Sequence, residues 1–124
     1  MAPRTILVVD PDPSFGSLLT LVLEEEGYKV TPVESLKDAT ELLSRSAFDA
    51  LITEAFDQRD HFDFNPDFLE RYCSVAPDIP LILFSTYVYG GTARAGKFGL
   101  ADVIPKPFDI DDLLRKLDKV VRRD

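Results

Sequence analysis

The stretch Phe48-Asp49-Ala50-Leu51-Ile52-Thr53-Glu54 has the pattern of a buried strand that ends in a carboxylate. Its centre, residues 50–53, is short, apolar and free of Gly and Pro, which is typical of a parallel strand covered on both faces. Glu54 comes where such a strand would leave the core. Ligands of open α/β sheets collect at the carboxyl ends of the strands. Glu54 is therefore the first candidate site residue.

Strand patterns and helix patterns alternate along the rest of the chain. Strands are predicted at residues 5–9, 28–33, 50–53, 81–84 and 103–104. Helices are predicted to follow the caps Asp12, Ser35, Asn65 and Asp109, with a weaker helix over residues 87–98. This alternation predicts an α/β fold, a doubly wound five-stranded parallel sheet of the flavodoxin-like type, in a single domain spanning residues 1–124.

Several local signals refine these elements. Pro32 lacks a backbone donor and so favours the edge of the sheet for the second strand. Gly27 is expected to end the first helix in a left-handed conformation. Apolar residues at helical spacing, including Leu18 in the first helix and Ile110 in the last, are expected to face the core.

Composition and charge narrow the classes of function. The formal net charge is −8, from 14 basic and 22 acidic residues, which disfavours binding of nucleic acid or anionic membranes by this domain alone. Cys73 is the single cysteine, so no intramolecular disulfide forms and a reducing compartment is favoured. No apolar run has membrane-spanning length, and residues 1–4 are too short for a signal peptide. We therefore expect a cytoplasmic protein.

Four polar residues follow four of the predicted strands: Asp10, Glu54, Ser85 and Lys106. In a doubly wound sheet the loops after these strands meet at one crevice, so we expect the four side chains to converge. Two carboxylates, a hydroxyl and an ammonium group suit a divalent metal or a phosphoryl group. The crevice is the predicted functional site.

Three motifs stand out in the chain: ILVVDPDPS at residues 6–14, FDALITE at residues 48–54 and KPFD at residues 106–109. Together they resemble the motifs of response-regulator receiver domains. The resemblance covers nearly the whole chain and implies a five-stranded sheet with the strand order 2-1-3-4-5. It also implies that a phosphoryl group passes from a histidine kinase to an aspartate, with the help of Mg²⁺.

The acidic residues of this sequence depart from the pattern of the family. Asp10 matches the first of two adjacent acids, but Pro11 stands where the second should be. Asp12 takes the variable third place of the acidic pocket. Glu54 occupies the phosphoacceptor position, where the family has aspartate. These departures predict that phosphoacceptance is lost and that Glu54 imitates part of the charge of a phosphorylated aspartate.

The remaining positions of the family site are filled more conservatively. Ser85 matches the switch hydroxyl, and Lys106 matches the lysine that contacts the phosphoryl group. A metal would be held by Asp10, Glu54 and the backbone carbonyl of Phe56, and we expect this binding to be weak or lost. The prediction is therefore that no cofactor is required, with Mg²⁺ as the one candidate.

Three functions are compatible with these residues. The leading one is a signalling receiver that is not an enzyme and acts through protein–protein contacts, with protein partners that include a histidine kinase or a second copy of the chain. The alternative is a conventional receiver that a histidine kinase phosphorylates at Glu54 or Asp57. A small flavodoxin-like cofactor-binding protein is disfavoured, because residues 10–13 are acidic and proline-bound where a phosphate cradle needs glycine.

Residues 55–64 form a predicted loop that replaces the shorter loop of the family. His61 is interpreted as a surface residue. The aromatic residues of this region, Phe56, Phe62, Phe64, Tyr87 and Tyr89, are compatible with extra core or with a partner surface. The sequence leaves both interpretations open.

Overall fold

A computed structural model describes residues 4–54, 67–85, 100–105 and 109–121. Within these residues, nine helices and strands follow one another along the chain. They are β1 (Thr5–Val9), α1 (Pro13–Glu25), β2 (Lys29–Val33), α2 (Leu36–Arg45), β3 (Ala50–Glu54), α3 (Asp67–Val75), β4 (Leu81–Ser85), β5 (Leu100–Pro105) and the C-terminal helix (Ile110–Val121). The predicted loop at residues 55–64, the cap Asn65 and the weak helix at residues 87–98 lie outside the described residues.

The described strands form one parallel sheet in the order β2-β1-β3-β4-β5. This is the order that the resemblance implies. The parallel, doubly wound architecture predicted from the sequence is confirmed. β2 lies at one edge of the sheet, as Pro32 predicted, because an edge strand can spare the donor that proline lacks.

Apolar side chains alternate between the two faces of the sheet and form two cores. The α1 face joins strand residues to α1 and the C-terminal helix, and it includes Ile6, Val8, Leu19, Leu23, Ile52, Phe84, Leu113 and Leu117. The α3 face joins the other strand residues to α2 and α3, and it includes Leu7, Val9, Ala39, Leu43, Leu51, Tyr72 and Leu83. The central strands are therefore buried on both sides, which explains their unbroken apolar sequences.

The predicted helix ends are confirmed where the structure describes them. Asp12 caps α1 and Ser35 caps α2, each accepting a backbone N–H from the first turn of its helix. Asp109 likewise accepts the N–H of Asp111 at 2.9 Å at the start of the C-terminal helix. Gly27 follows α1 with φ of 94°, in the left-handed region.

Two predictions about the core are wrong. Leu18 is 47% exposed, because the buried stripe of α1 runs through Leu19 and Leu23 instead. Ile110 is 45% exposed, because it begins the C-terminal helix one turn before Leu113, the first buried residue of that helix. Helical spacing alone does not reveal where a helix begins to touch the sheet.

The fifth strand is longer than predicted. It runs over Leu100–Pro105 rather than residues 103–104. Its first part pairs with β4 through Leu100 and, after a shift of register, through Asp102. The strand was predicted too short because backbone hydrogen bonds to β4 define its first residues, and these do not form an apolar run.

Candidate functional site at the carboxyl edge of the sheet

Asp10 and Glu54 are neighbours at the carboxyl edge of the two central strands. Val9 of β1 is paired with Thr53 of β3, and each acid is the next residue along its own strand. Parallel neighbours in register are roughly 5 Å apart across the sheet. The structure therefore brings together the two acids that the sequence predicted to converge.

Glu54 is the last residue of β3 and is partly exposed. Side chains alternate along a strand, so Glu54 lies on the same face as Ala50 and Ile52, the α1 face. Its partner in register on β4 is Phe84. Glu54 thus leaves the core between an acid on one side and an aromatic ring on the other.

Asp10 is a buried acid, only 4% exposed. Its Oδ1 accepts the backbone N–H of Asp12 at 2.8 Å, and its own N–H donates to the carbonyl of Val33 at 3.1 Å. The first bond closes a turn in which an aspartate carboxylate binds the backbone two residues ahead. The carboxylate of Asp10 is therefore held in place by the turn that leads into α1.

Asp12 has the contacts of a helix cap. Its side chain is exposed, and its Oδ1 accepts the backbone N–H of Ser14 at 2.9 Å. Its carbonyl also accepts N–H groups from Phe15 and Gly16, both at 3.2 Å. A carboxylate in this position satisfies backbone donors of the first turn and complements the helix dipole. That Asp12 also serves the acidic pocket beside Asp10 stays a prediction.

The other predicted site residues are described only in part. Ser85 ends β4 one residue beyond Phe84, and its backbone pairs with Pro105 of β5. Lys106, Phe56 and Asp57 lie outside the described residues. Their convergence on Glu54 stays a prediction from the sheet topology.

An aromatic pair lies beneath this edge on the α1 face. The rings of Phe15 and Phe84 meet edge to face, with centroids 5.2 Å apart and planes at 83°. This geometry is favoured for aromatic rings because the positive edge of one faces the negative face of the other. The pair packs the start of α1 against β4 and so supports the turn that carries Asp10.

A buried hydrogen bond next to Glu54 was not predicted from the sequence. The hydroxyl groups of Thr53 and Tyr72 are 2.9 Å apart, and both residues are fully buried. Thr53 Oγ1 also donates to the carbonyl oxygen of Glu54 at 3.0 Å. Burial raises the pKa of the Tyr72 phenol well above its ordinary value. The sequence contained one signal for this bond: Thr53 and Tyr72 each place a hydroxyl among otherwise apolar residues of their elements.

The described residues contain no cluster of three or more His, Cys, Asp or Glu side chains that could hold a metal ion. In the described part of the crevice, the neighbouring carboxylates of Asp10 and Glu54 are the side chains of a type that binds metal ions. The backbone carbonyl of Phe56, the third predicted donor, lies outside it.

A groove of about 620 Å³ lies at the opposite, amino edge of the sheet. Its lining includes Arg4, Arg45, Asp49, Asp78 and Val121. None of the predicted site residues contributes to it. The groove is therefore separate from the crevice at Asp10 and Glu54.

None of the helices in the described ranges combines the length and the apolar character that a membrane crossing requires.

Comparisons with known proteins identify the family. The family model described as response regulator receiver domain matches residues 6–118. The chain is 30% identical over 115 residues to the DNA-binding transcriptional regulator NtrC of Rhizobium meliloti (strain 1021), covering 92% of this chain and 23% of that protein. It is 32% identical over 117 residues to an uncharacterised 14.6 kDa protein of Leptolyngbya boryana, covering 93% of this chain and 88% of that one.

A solved structure agrees with this match. A response regulator from Thermotoga maritima superposes with a TM-score of 0.84 at 24% identity, over 98% of this chain and 99% of the other. At that identity the similarity supports the fold. The sequence matches carry the assignment further, and the chain belongs to the response regulator receiver domain family of two-component signalling.

Proposed function

We propose that this receiver domain signals through protein–protein contacts without accepting a phosphoryl group, and that it is not an enzyme. The observation that carries the proposal is the pair at the carboxyl edge. Glu54 and Asp10 each follow one member of the Val9–Thr53 pair that joins β3 to β1. By the motif resemblance, Glu54 takes the position where the family has its acceptor aspartate. We infer that the crevice of the family is retained and that its acceptor residue is altered, with Glu54 in place of aspartate.

The metal donors do not fit the family's magnesium site. Mg²⁺ requires nearly octahedral oxygen ligands at short distance. Pro11 supplies no carboxylate, and the Oδ1 atom of Asp12 is bonded to the backbone of Ser14. Asp10 and Glu54 remain, and Glu54 is one methylene longer than the acid it replaces. We therefore propose a function with no metal-dependent step.

The longer side chain also supports the loss of phosphoacceptance. Phosphoryl transfer is catalysed mainly by positioning, and a displacement of about 1 Å can cost on the order of a hundredfold in rate. The carboxylate of Glu54 is partly exposed and can extend beyond the strand end. We propose that it points toward Ser85 and Lys106, where it supplies the negative charge that phosphorylation would bring to an ordinary receiver.

The proposed partners are proteins. A histidine kinase and a second copy of this chain are the candidates that receiver domains in general suggest. The chain spans 23% of NtrC, whose name includes DNA binding. The net charge of −8 makes nucleic-acid binding by this domain itself unfavourable. We also propose a cytoplasmic location, which the single, partly buried Cys73 supports.

The proposal is tested by phosphorylation from a small donor. The purified protein is incubated with acetyl phosphate and Mg²⁺, and its intact mass is measured. We expect no phosphoryl adduct. The double variant Pro11→Asp/Glu54→Asp restores both acids that the family pattern has and this chain lacks, and it is expected to gain an adduct that hydroxylamine removes. This variant is the positive control for the donor and the fold.

A stoichiometric, hydroxylamine-labile adduct on the unaltered protein would contradict the proposal and favour a conventional receiver. Glu54→Gln and Asp57→Asn would then identify the acceptor, because only the variant that lacks it loses the adduct. Glu54 keeps this alternative open, since it is a carboxylate at the acceptor position beside Asp10.

A further inference from the structure

We propose that Tyr72 is a positioning residue that holds the main chain of Glu54 through the hydroxyl of Thr53. This inference rests on the proposed function, in which Glu54 is the residue through which the domain signals. It assigns a role to helix α3 at the carboxyl edge of the sheet. The interactions involved lie on the α3 face, opposite the side chains of Asp10 and Glu54.

The direction of the hydrogen bonds follows from the atoms involved. The carbonyl oxygen of Glu54 can only accept, so the hydroxyl of Thr53 donates its single proton to it. Thr53 Oγ1 is then an acceptor for its other partner, and the phenol of Tyr72 donates to it across 2.9 Å. The result is a chain of two bonds from Tyr72 to Thr53 to Glu54.

Burial makes this chain expensive to break. Tyr72 and Thr53 are both 0% exposed and are surrounded by apolar residues of the α3 face. A buried hydroxyl that loses its partner also has no water to replace it. Within the described part of the chain, every buried side-chain nitrogen or oxygen has a hydrogen-bond partner. Hydrogen bonds in series also strengthen one another in such surroundings.

The chain of bonds connects two elements that are distant in sequence. Thr53 and Tyr72 are 19 residues apart, and the hydrogen bond between them connects α3 to the end of β3, one residue before Glu54. Thr53 is itself held in register between Val9 and Leu83. A displacement of α3 must therefore carry the end of β3 with it or break a buried hydrogen bond. Tyr72 acts on Glu54 through its main chain, from the α3 face of the sheet.

The test is NMR of the full chain labelled with ¹³C and ¹⁵N, comparing four variants. Tyr72→Phe removes the donor, Thr53→Val removes the link, and Thr53→Ser keeps a hydroxyl at the same place. Tyr28→Phe removes the same atom from a tyrosine that packs on the α1 face, and it serves as the matched control. The readouts are the carbonyl and carboxyl ¹³C shifts of Glu54, and amide exchange over all the strands.

We expect the Glu54 carbonyl signal to move upfield in Thr53→Val and, by less, in Tyr72→Phe, because a hydrogen bond to it is lost or weakened. The carboxyl signal of Glu54 should also move in both variants. Thr53→Ser should resemble the unaltered protein, and Tyr28→Phe should leave Glu54 unchanged. In the unaltered protein, the Tyr72 hydroxyl should exchange slowly enough to give separate H and D signals at its ring carbon.

The proposal is overturned if Tyr72→Phe leaves the Glu54 signals where Tyr28→Phe leaves them. It is also overturned if the change appears only as faster amide exchange spread evenly over the sheet, since that is the sign of a purely structural residue. The hydroxyl measurement needs no substitution, and a Tyr72 hydroxyl that exchanges too fast to give two signals would also overturn the proposal. The NMR comparison uses protein that has met no phosphoryl donor, whereas the adduct is sought by mass after acetyl phosphate. A phosphoryl adduct on Glu54 would therefore contradict the proposed function alone, and the two failures are distinguishable.

Discussion

Asp10, Asp12 and Glu54 are three carboxylates within one short edge of the sheet, and each has different surroundings. Asp10 is buried and bonded to the turn that follows it. Asp12 is exposed and bonded to the first turn of α1. Glu54 is partly exposed at the end of β3. The same functional group thus serves as a turn former, a helix cap and a candidate signalling residue, according to the backbone donors that each position offers.

The role of Asp12 can be separated from that of its charge. Asp12→Ala removes the bond to the Ser14 N–H and should lower the free energy of unfolding by about 1 kcal/mol. Asp12→Asn keeps a capping oxygen and should stay close to the unaltered protein. Urea denaturation of the three proteins provides the measurement. An equal loss in both variants would contradict the capping role, because it would mean that the charge is what stabilises.

At the scale of the element, α1 shows how a helix is ended on both sides by local chemistry. Beyond its last residue, the N–H of Gly27 donates to the carbonyl of Glu24 and that of Tyr28 to the carbonyl of Leu23, both at 3.1 Å. This pair of bonds satisfies carbonyls that the helix leaves open. The turn between them requires the positive φ of 94° that Gly27 adopts. The chain then enters β2 directly.

Two glycines of this region should respond in opposite ways to alanine. Gly27→Ala places a Cβ in a left-handed conformation and should destabilise the protein by about 1 kcal/mol. Gly16→Ala lies inside α1, and its new Cβ would meet the Cβ of Pro32 at 3.5 Å, an ordinary contact. It should be neutral or stabilising by up to about 1 kcal/mol, because alanine favours helix. Thermal unfolding compares them, and a loss of stability in Gly16→Ala equal to that of Gly27→Ala would be the contrary result.

At the scale of the molecule, the sheet separates two cores of different composition. The α1 face contains an aromatic pair and aliphatic residues. The α3 face contains the buried hydroxyls of Tyr72 and Thr53. The central strands supply residues to both cores, so one strand backbone supports the packing on both faces. Glu54 ends one of these strands at the carboxyl edge.

The buried phenol should make the stability of the whole fold sensitive to alkaline pH. Burial raises the pKa of Tyr72 in the folded chain above its unfolded value of about 10. The contribution of the buried phenol to the free energy of unfolding is therefore fully present below about pH 10. It decreases as the pH rises toward the pKa of Tyr72 in the folded chain, because the unfolded chain loses the proton first. Over that range the free energy of unfolding should fall more steeply in the unaltered protein than in Tyr72→Phe, by up to about 1.4 kcal/mol per pH unit. Urea denaturation across the alkaline range would show parallel curves if the prediction is wrong.

The order and type of the described elements were predictable from the sequence, because they depend on local interactions. The apolar strands, the caps Asp12 and Ser35 and the terminal Gly27 are each decided by residues a few positions apart. The edge position of β2 followed from the chemistry of Pro32 alone. The predicted place of Glu54 at a carboxyl edge followed from the direction of a parallel strand.

Other features were decided only by the tertiary structure, because they depend on register and packing between distant segments. The pairing of Val9 with Thr53 determines that Asp10 and Glu54 are neighbours. The contact between α3 and β3 converts two unrelated hydroxyls, 19 residues apart, into one buried bond. The exposure of Leu18 likewise depends on which side of α1 meets the sheet. The spacing of apolar residues shows that a helix has an apolar face, but which of those residues are buried depends on where the helix packs against the sheet.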